Sequence, residues 1–128
     1  MLAQNLLRVS VAIILVGLAL GIGMGISQDF RLAPAHAHLN LLGFVALFLA
    51  ALYYNAVPQA AKTRLAAVQA WTAAIGAIVF PVGVGMVTLG GHAYEPIVII
   101  GSLVVFVGMA LFAWVVCRYG FEHVGQRV

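Results

Sequence analysis

Four apolar blocks set the limits on what this chain can become, because about twenty apolar residues in a helix cross the ~30 Å hydrocarbon layer of a bilayer. They run roughly from Leu6 to Ile26, from His36 to Tyr54, from Leu65 to Leu89 and from Pro96 to Cys117. Hydrophobic residues make up 65% of the 128 and charged residues 7%. Six basic and three acidic side chains would coat only a small part of a water-facing surface, so a soluble globule is excluded. The expected fold is all-α: an integral membrane four-transmembrane-helix bundle, one membrane domain over residues 1–128, with its chemistry inside the bundle or at its rims. A net charge of +3 scattered over helix ends makes no basic patch, which argues against nucleic acid as a partner. The single cysteine, Cys117, allows neither an internal disulfide nor a thiolate metal cage.

In the first block Gly17, Gly21 and Gly25 recur every four residues and predict a smooth face for close helix contact. Arg8 before an apolar stretch also suits a secretory signal. The stretch is long for a signal core and no A-x-A site closes it, so a retained span is expected. Gln28 to Pro34 reads as a short loop, with proline at the start of the second helix. Pro81, with Gly83 and Gly85 after it, predicts a kink in the third. Arg8, Lys62, Arg64, Arg118 and Arg127 fall on one side, and Asp29, Arg31 and Glu95 on the other. By the positive-inside tendency both termini are cytoplasmic, in a bacterial-type inner membrane with lipid as the chain's first partner. His36, His38 and His92 then share the outer, periplasmic rim with Glu95, while His123 lies near the opposite end and is expected to be solvated. Tyr53, Tyr54, Trp71, Trp114 and Tyr119 suggest an aromatic belt at the inner side.

The stretch Pro34-Ala35-His36-Ala37-His38-Leu39-Asn40 puts polar groups into a helix that is otherwise apolar until Tyr53, and groups so placed need partners. At 100° per residue His36, Asn40, Gly43 and Leu47 share one face, and His38 points about 200° away from His36. A regular helix cannot direct both rings to one ion. Either the helix begins after His36, or the two rings serve different partners. Three readings stay open for His36. It is an axial ligand of heme iron, with Gly43 admitting the macrocycle. It is a copper or zinc ligand together with His92, Glu95 or a histidine of a neighbouring subunit, such as His38. Or it is a histidine hydrogen-bonded to a loop carbonyl or to Asn40, with no cofactor.

The run Phe30-Arg31-Leu32-Ala33-Pro34-Ala35-His36, followed by Asn40 and Gly43-Phe44, resembles the second transmembrane helix of the catalytic subunit of heme-copper oxidases, above all the C-type oxidases and bacterial nitric oxide reductases. The resemblance covers about twenty residues and implies that His36 is an axial ligand of a low-spin heme b. The further histidine motifs of that family's oxygen- or NO-reducing centre are missing, so a self-sufficient oxidase or reductase is not expected. The chain has the length of one of the three four-helix arcs that such a subunit contains. The resemblance thus implies a homotrimer, with a second heme ligand from His38 or His92 across the subunit interface.

Arg31 then becomes a candidate partner for a heme propionate, although an arginine that snorkels to the interface explains it equally well. His92 lies in a Gly-rich loop where solvation is the default, and Glu95 before Pro96 suits a helix N-terminus. No nucleophile with a paired base, phosphate loop or carboxylate pair is present, and none of the acids falls mid-span, which disfavours hydrolases, nucleotide-driven enzymes and ion-coupled transporters. The readings carried forward are a heme b protein for electron transfer or for sensing a gas or heme, a copper or zinc protein for metal handling or oxidase assembly, and a cofactor-free membrane scaffold.

Overall fold

Helix boundaries follow from a few residues that either stop the backbone or start it. In the computed structural model, which describes residues 1–120, Gln28 takes a left-handed conformation (φ 55°) and closes α1, Leu2–Ser27. Pro34 lies in the first turn of α2, Ala33–Asn40, where its missing N–H costs nothing. A π-helical stretch, Leu41–Ala46, follows without a break and leads into α3, Leu47–Ala56. After the short α4, Pro58–Ala61, the Thr63 hydroxyl accepts the Ala66 N–H at 3.1 Å and caps α5, Arg64–Gly90. Gly91 (φ 85°) ends that helix with a backbone conformation that favours glycine, and a 3₁₀ turn, His92–Tyr94, leads into α6, Glu95–Arg118. His123 and Arg127 lie outside the described residues.

Among the described residues the chain is all-helical without strands, and four helical stretches are long and apolar enough to cross a membrane: Leu2–Ser27, Ala33–Ala56, Arg64–Gly90 and His92–Arg118. Many of their large apolar side chains are exposed, among them Leu15, Ile22, Ile100 and Phe106, as expected of a surface that meets lipid. α5 runs unbroken through Pro81, which is buried.

The packing falls into two hairpins. α1 lies along α2, the π stretch and α3, while α5 lies along α6 in the most extensive pairing of the molecule. α2 joins the two by packing on α5, which leaves α1 and α6 at opposite edges. The α5–α6 seam is lined with glycine. A Cβ at Gly101 would stand 2.7 Å from the Phe80 Cα, one at Gly83 3.0 Å from the Val98 nitrogen, and one at Gly108 3.2 Å from the Ala73 Cα. Two backbones meet there at a distance only glycine permits.

The core is concentrated towards the end of the bundle that holds the α3–α5 connection, around Leu6, Leu47, Ala51, Tyr54, Val57, Ala66 and Val115. Tyr53 and Tyr54 belong to this core, 6% and 1% exposed, and so do not stand in a lipid-facing aromatic belt. Their hydroxyls are what draws them in: Tyr53 donates to the Tyr119 carbonyl at 2.5 Å and Tyr54 to the Gln69 Oε1 at 2.8 Å. A phenol that finds a partner inside a protein is held there, whereas a belt tyrosine leaves its hydroxyl in water. Trp71 and Trp114 are exposed, as a belt requires.

Candidate site on the second span

α2 is already helical at Ala33, so His36 and His38 leave the same regular helix on different sides and serve different partners. His36 faces α1. A Cβ at Gly21 would stand 2.9 Å from the His36 Cε1, so the imidazole rests on bare backbone. One turn further along, a Cβ at Gly17 would overlap the Asn40 amide oxygen, and one at Gly43 would overlap the Ile13 side chain. The glycines of α1 and the polar face of α2 are therefore complementary. Two glycines four residues apart receive a histidine and an asparagine four residues apart, and Gly43 on the second span admits Ile13 in return. Gly25, the third member of the α1 series, has nothing against it.

Inside this contact the Asn40 Nδ2 donates to the His36 Nε2 at 3.2 Å. The other two polar atoms of the pair, His36 Nδ1 and Asn40 Oδ1, are enclosed and have no partner among the described residues. With Nε2 accepting, a neutral imidazole carries its proton on Nδ1, and an enclosed N–H without an acceptor costs roughly 1–3 kcal/mol. The pair is thus only half satisfied by the chain itself.

His38 turns the other way. Its Nδ1 lies 2.7 Å from the Pro34 carbonyl, and its ring meets Phe80 of α5 edge-on, with centroids 4.9 Å apart. The exposed His92 Nδ1 lies 2.5 Å from the Glu95 Oε1, so these two candidates engage each other at the start of α6. Arg31 is held by Asp29 through Nε at 3.0 Å and through a guanidinium nitrogen at 2.6 Å. The same guanidinium holds the Asp29 carboxyl down to about 2. Among the described residues no three or more of His, Cys, Asp and Glu come together as a metal-holding group. His36, His38, His92 and Glu95 are consequently dispersed over three local environments.

Two features have no counterpart in the sequence reading. One is the π stretch directly after Asn40; wide helical turns of this kind are rare and frequent at functional sites. The other is Gln69 of α5, 1% exposed, which joins Tyr54 to the Gly108 carbonyl of α6. A lone amide in an apolar stretch was the available signal for it, since such a group has to find partners inside the protein.

No protein-family model, curated protein or solved structure matches the chain.

Proposed function

We propose that the chain is a small multi-pass membrane protein that binds heme b through His36, working in electron transfer or in sensing a gas or heme. The observation that carries this reading is the half-satisfied His36–Asn40 pair. An imidazole stands in apolar surroundings with one nitrogen steadied by an amide and the other enclosed without a partner. Heme iron takes the lone pair of a neutral ring whose other N–H is received by a neighbour, and Asn40 can serve once its amide turns: Oδ1 would accept from Nε2–H and leave the Nδ1 lone pair for iron. Bound heme would supply a one-electron couple or a site for a diatomic ligand. His36 would hold it, Asn40 would fix the ring, and Arg31 would exchange Asp29 for a propionate. Iron binding would reverse the direction of the His36–Asn40 hydrogen bond and exchange part of the ring's contact with α1 for the metal.

The second ligand is assigned to His38 or His92 of a neighbouring copy within a homotrimer, as the resemblance to one arc of a larger ring suggests; that imidazole would have to leave the Pro34 carbonyl or Glu95 of its own chain. The membrane is of the bacterial inner type, with both termini cytoplasmic and the histidine rim outside, as the loop charges favour.

The test is the visible spectrum of protein purified from cells supplied with a heme precursor. A reduced band of a bis-imidazole heme is expected, with iron in proportion to the assembled oligomer, and His36→Ala is expected to abolish both. A colourless, iron-free preparation, or a monomer that keeps its full cofactor, overturns the proposal. The hydrogen bond to Asn40 and the close fit on Gly21 favour a second reading in that event, a cofactor-free scaffold in which the same residues lock α1 to α2.

A further inference from the structure

A second site lies away from the histidines. Between the second span, α5 and α6 runs a groove of about 330 Å³, walled by side chains such as Leu41, Val45, Leu49, Met109 and Phe112. On the second span its lining extends from Leu41 to Ala50, about 13 Å of helix. One polar side chain lines it, Gln69, and no charged residue does.

Gln69 is not fully used by the chain. Its Oε1 accepts from Tyr54 at 2.8 Å, but its amide nitrogen has a single contact, a long 3.4 Å approach to the Gly108 carbonyl. A primary amide carries two N–H donors, so one proton of a side chain that is 99% buried lacks an acceptor among the described residues. An acceptor arriving through the groove would satisfy it.

We infer that this groove binds a quinone-class lipid, a flat uncharged ring whose carbonyl accepts the free Gln69 N–H while its apolar tail lies along the second span. The lining chooses this occupant. A fatty acid or a phospholipid brings a charged head, and the groove offers no cation to receive one. A plain hydrocarbon would leave the Gln69 proton unpaired. The polar end is also off centre, only about 7 Å along α5 from Arg64, which suits a molecule with its polar part at one end. Phe112, in edge contact with both Tyr53 and Tyr54, gives the ring an aromatic wall beside the amide. The inference is independent of heme and needs none for its test.

The protein is reconstituted in nanodiscs of a saturated phosphatidylcholine and titrated with a decyl-substituted benzoquinone, and the quinone retained after separation is counted. Saturable retention of one molecule per chain above that of empty nanodiscs is expected. Gln69→Leu should weaken it about tenfold, the worth of one hydrogen bond in an apolar site. Val45→Trp, at an exposed wall position, should block the groove while the folded state keeps its helical circular dichroism, so the idea remains testable even if Gln69→Leu misfolds. Retention no greater than in empty nanodiscs, binding unchanged in Val45→Trp or in a folded Gln69→Leu, or a phospholipid held one per chain that the quinone does not displace, each overturns the proposal.

Discussion

Two glycines in one helix, identical in type and in spacing, have opposite meanings here. Gly17→Ala places a methyl group on the Asn40 amide and is expected to cost about 1–3 kcal/mol by overpacking, read as a lower midpoint of unfolding. Gly25→Ala meets nothing and should be neutral or stabilise by up to about 1 kcal/mol, as alanine is the better helix former. Equal effects of the two would remove the cradle from the account. At the rim, Asp29 tests the Arg31 pairing. Its carboxyl lies at about 2 instead of 3.8 because Arg31 favours the charged form, so the pair's small contribution is complete above the ordinary value and is lost as pH falls through about 2. In Arg31→Gln the carboxyl carbon, followed by NMR, should titrate near the ordinary value. Much of this scale was legible in advance. The divergence of His36 and His38 follows from 100° per residue, and the polar face of His36, Asn40 and Gly43 was read correctly. What Gly17 and Gly21 would receive was not, because the sequence shows two matching four-residue spacings without saying that they face each other.

Among the helices, the π stretch from Leu41 to Ala46 is the feature that no periodicity announced, since its residues are apolar on all sides and give no phase to measure. It adjusts the phase between the polar end of the second span and its buried far end at Tyr53 and Tyr54. Deleting Phe44 would remove the extra residue that the wide turns hold and let the stretch close to regular α-helix, with the His36–Asn40 face still turned to the α1 glycines. The expected outcome is retained helical content with a melting temperature close to the parent's; a collapse of the melt would show that the π stretch does more than absorb one residue. Tyr53 and Tyr54 show the opposite kind of difficulty. Tyrosine near the end of a span satisfies the belt pattern and the buried pattern alike, and only the position of Gln69 and of the Tyr119 carbonyl decides between them. Tyr54→Phe leaves the Gln69 oxygen without its donor and should cost about 1–2 kcal/mol of stability.

For the molecule as a whole, the number and approximate positions of the long helices were readable because a bilayer demands an uninterrupted run of apolar residues, a signal that survives without any tertiary information. Orientation remains a matter of loop charge and is open to a direct check. Cys117 is exposed at the end of α6, so a membrane-impermeant maleimide should leave it unlabelled on intact cells and label it after permeabilisation. A Cys117→Ser variant carrying Tyr94→Cys should behave in reverse. Finally, the glycine-lined seam that binds α6 to α5 more closely than α5 is bound to anything else has a mechanical corollary. Drawn out of the bilayer by its carboxyl end, the chain should come apart in two yields, the last pair of spans departing as one body while α1 and the second span, fastened through His36 and Asn40, stay behind until a second load is reached.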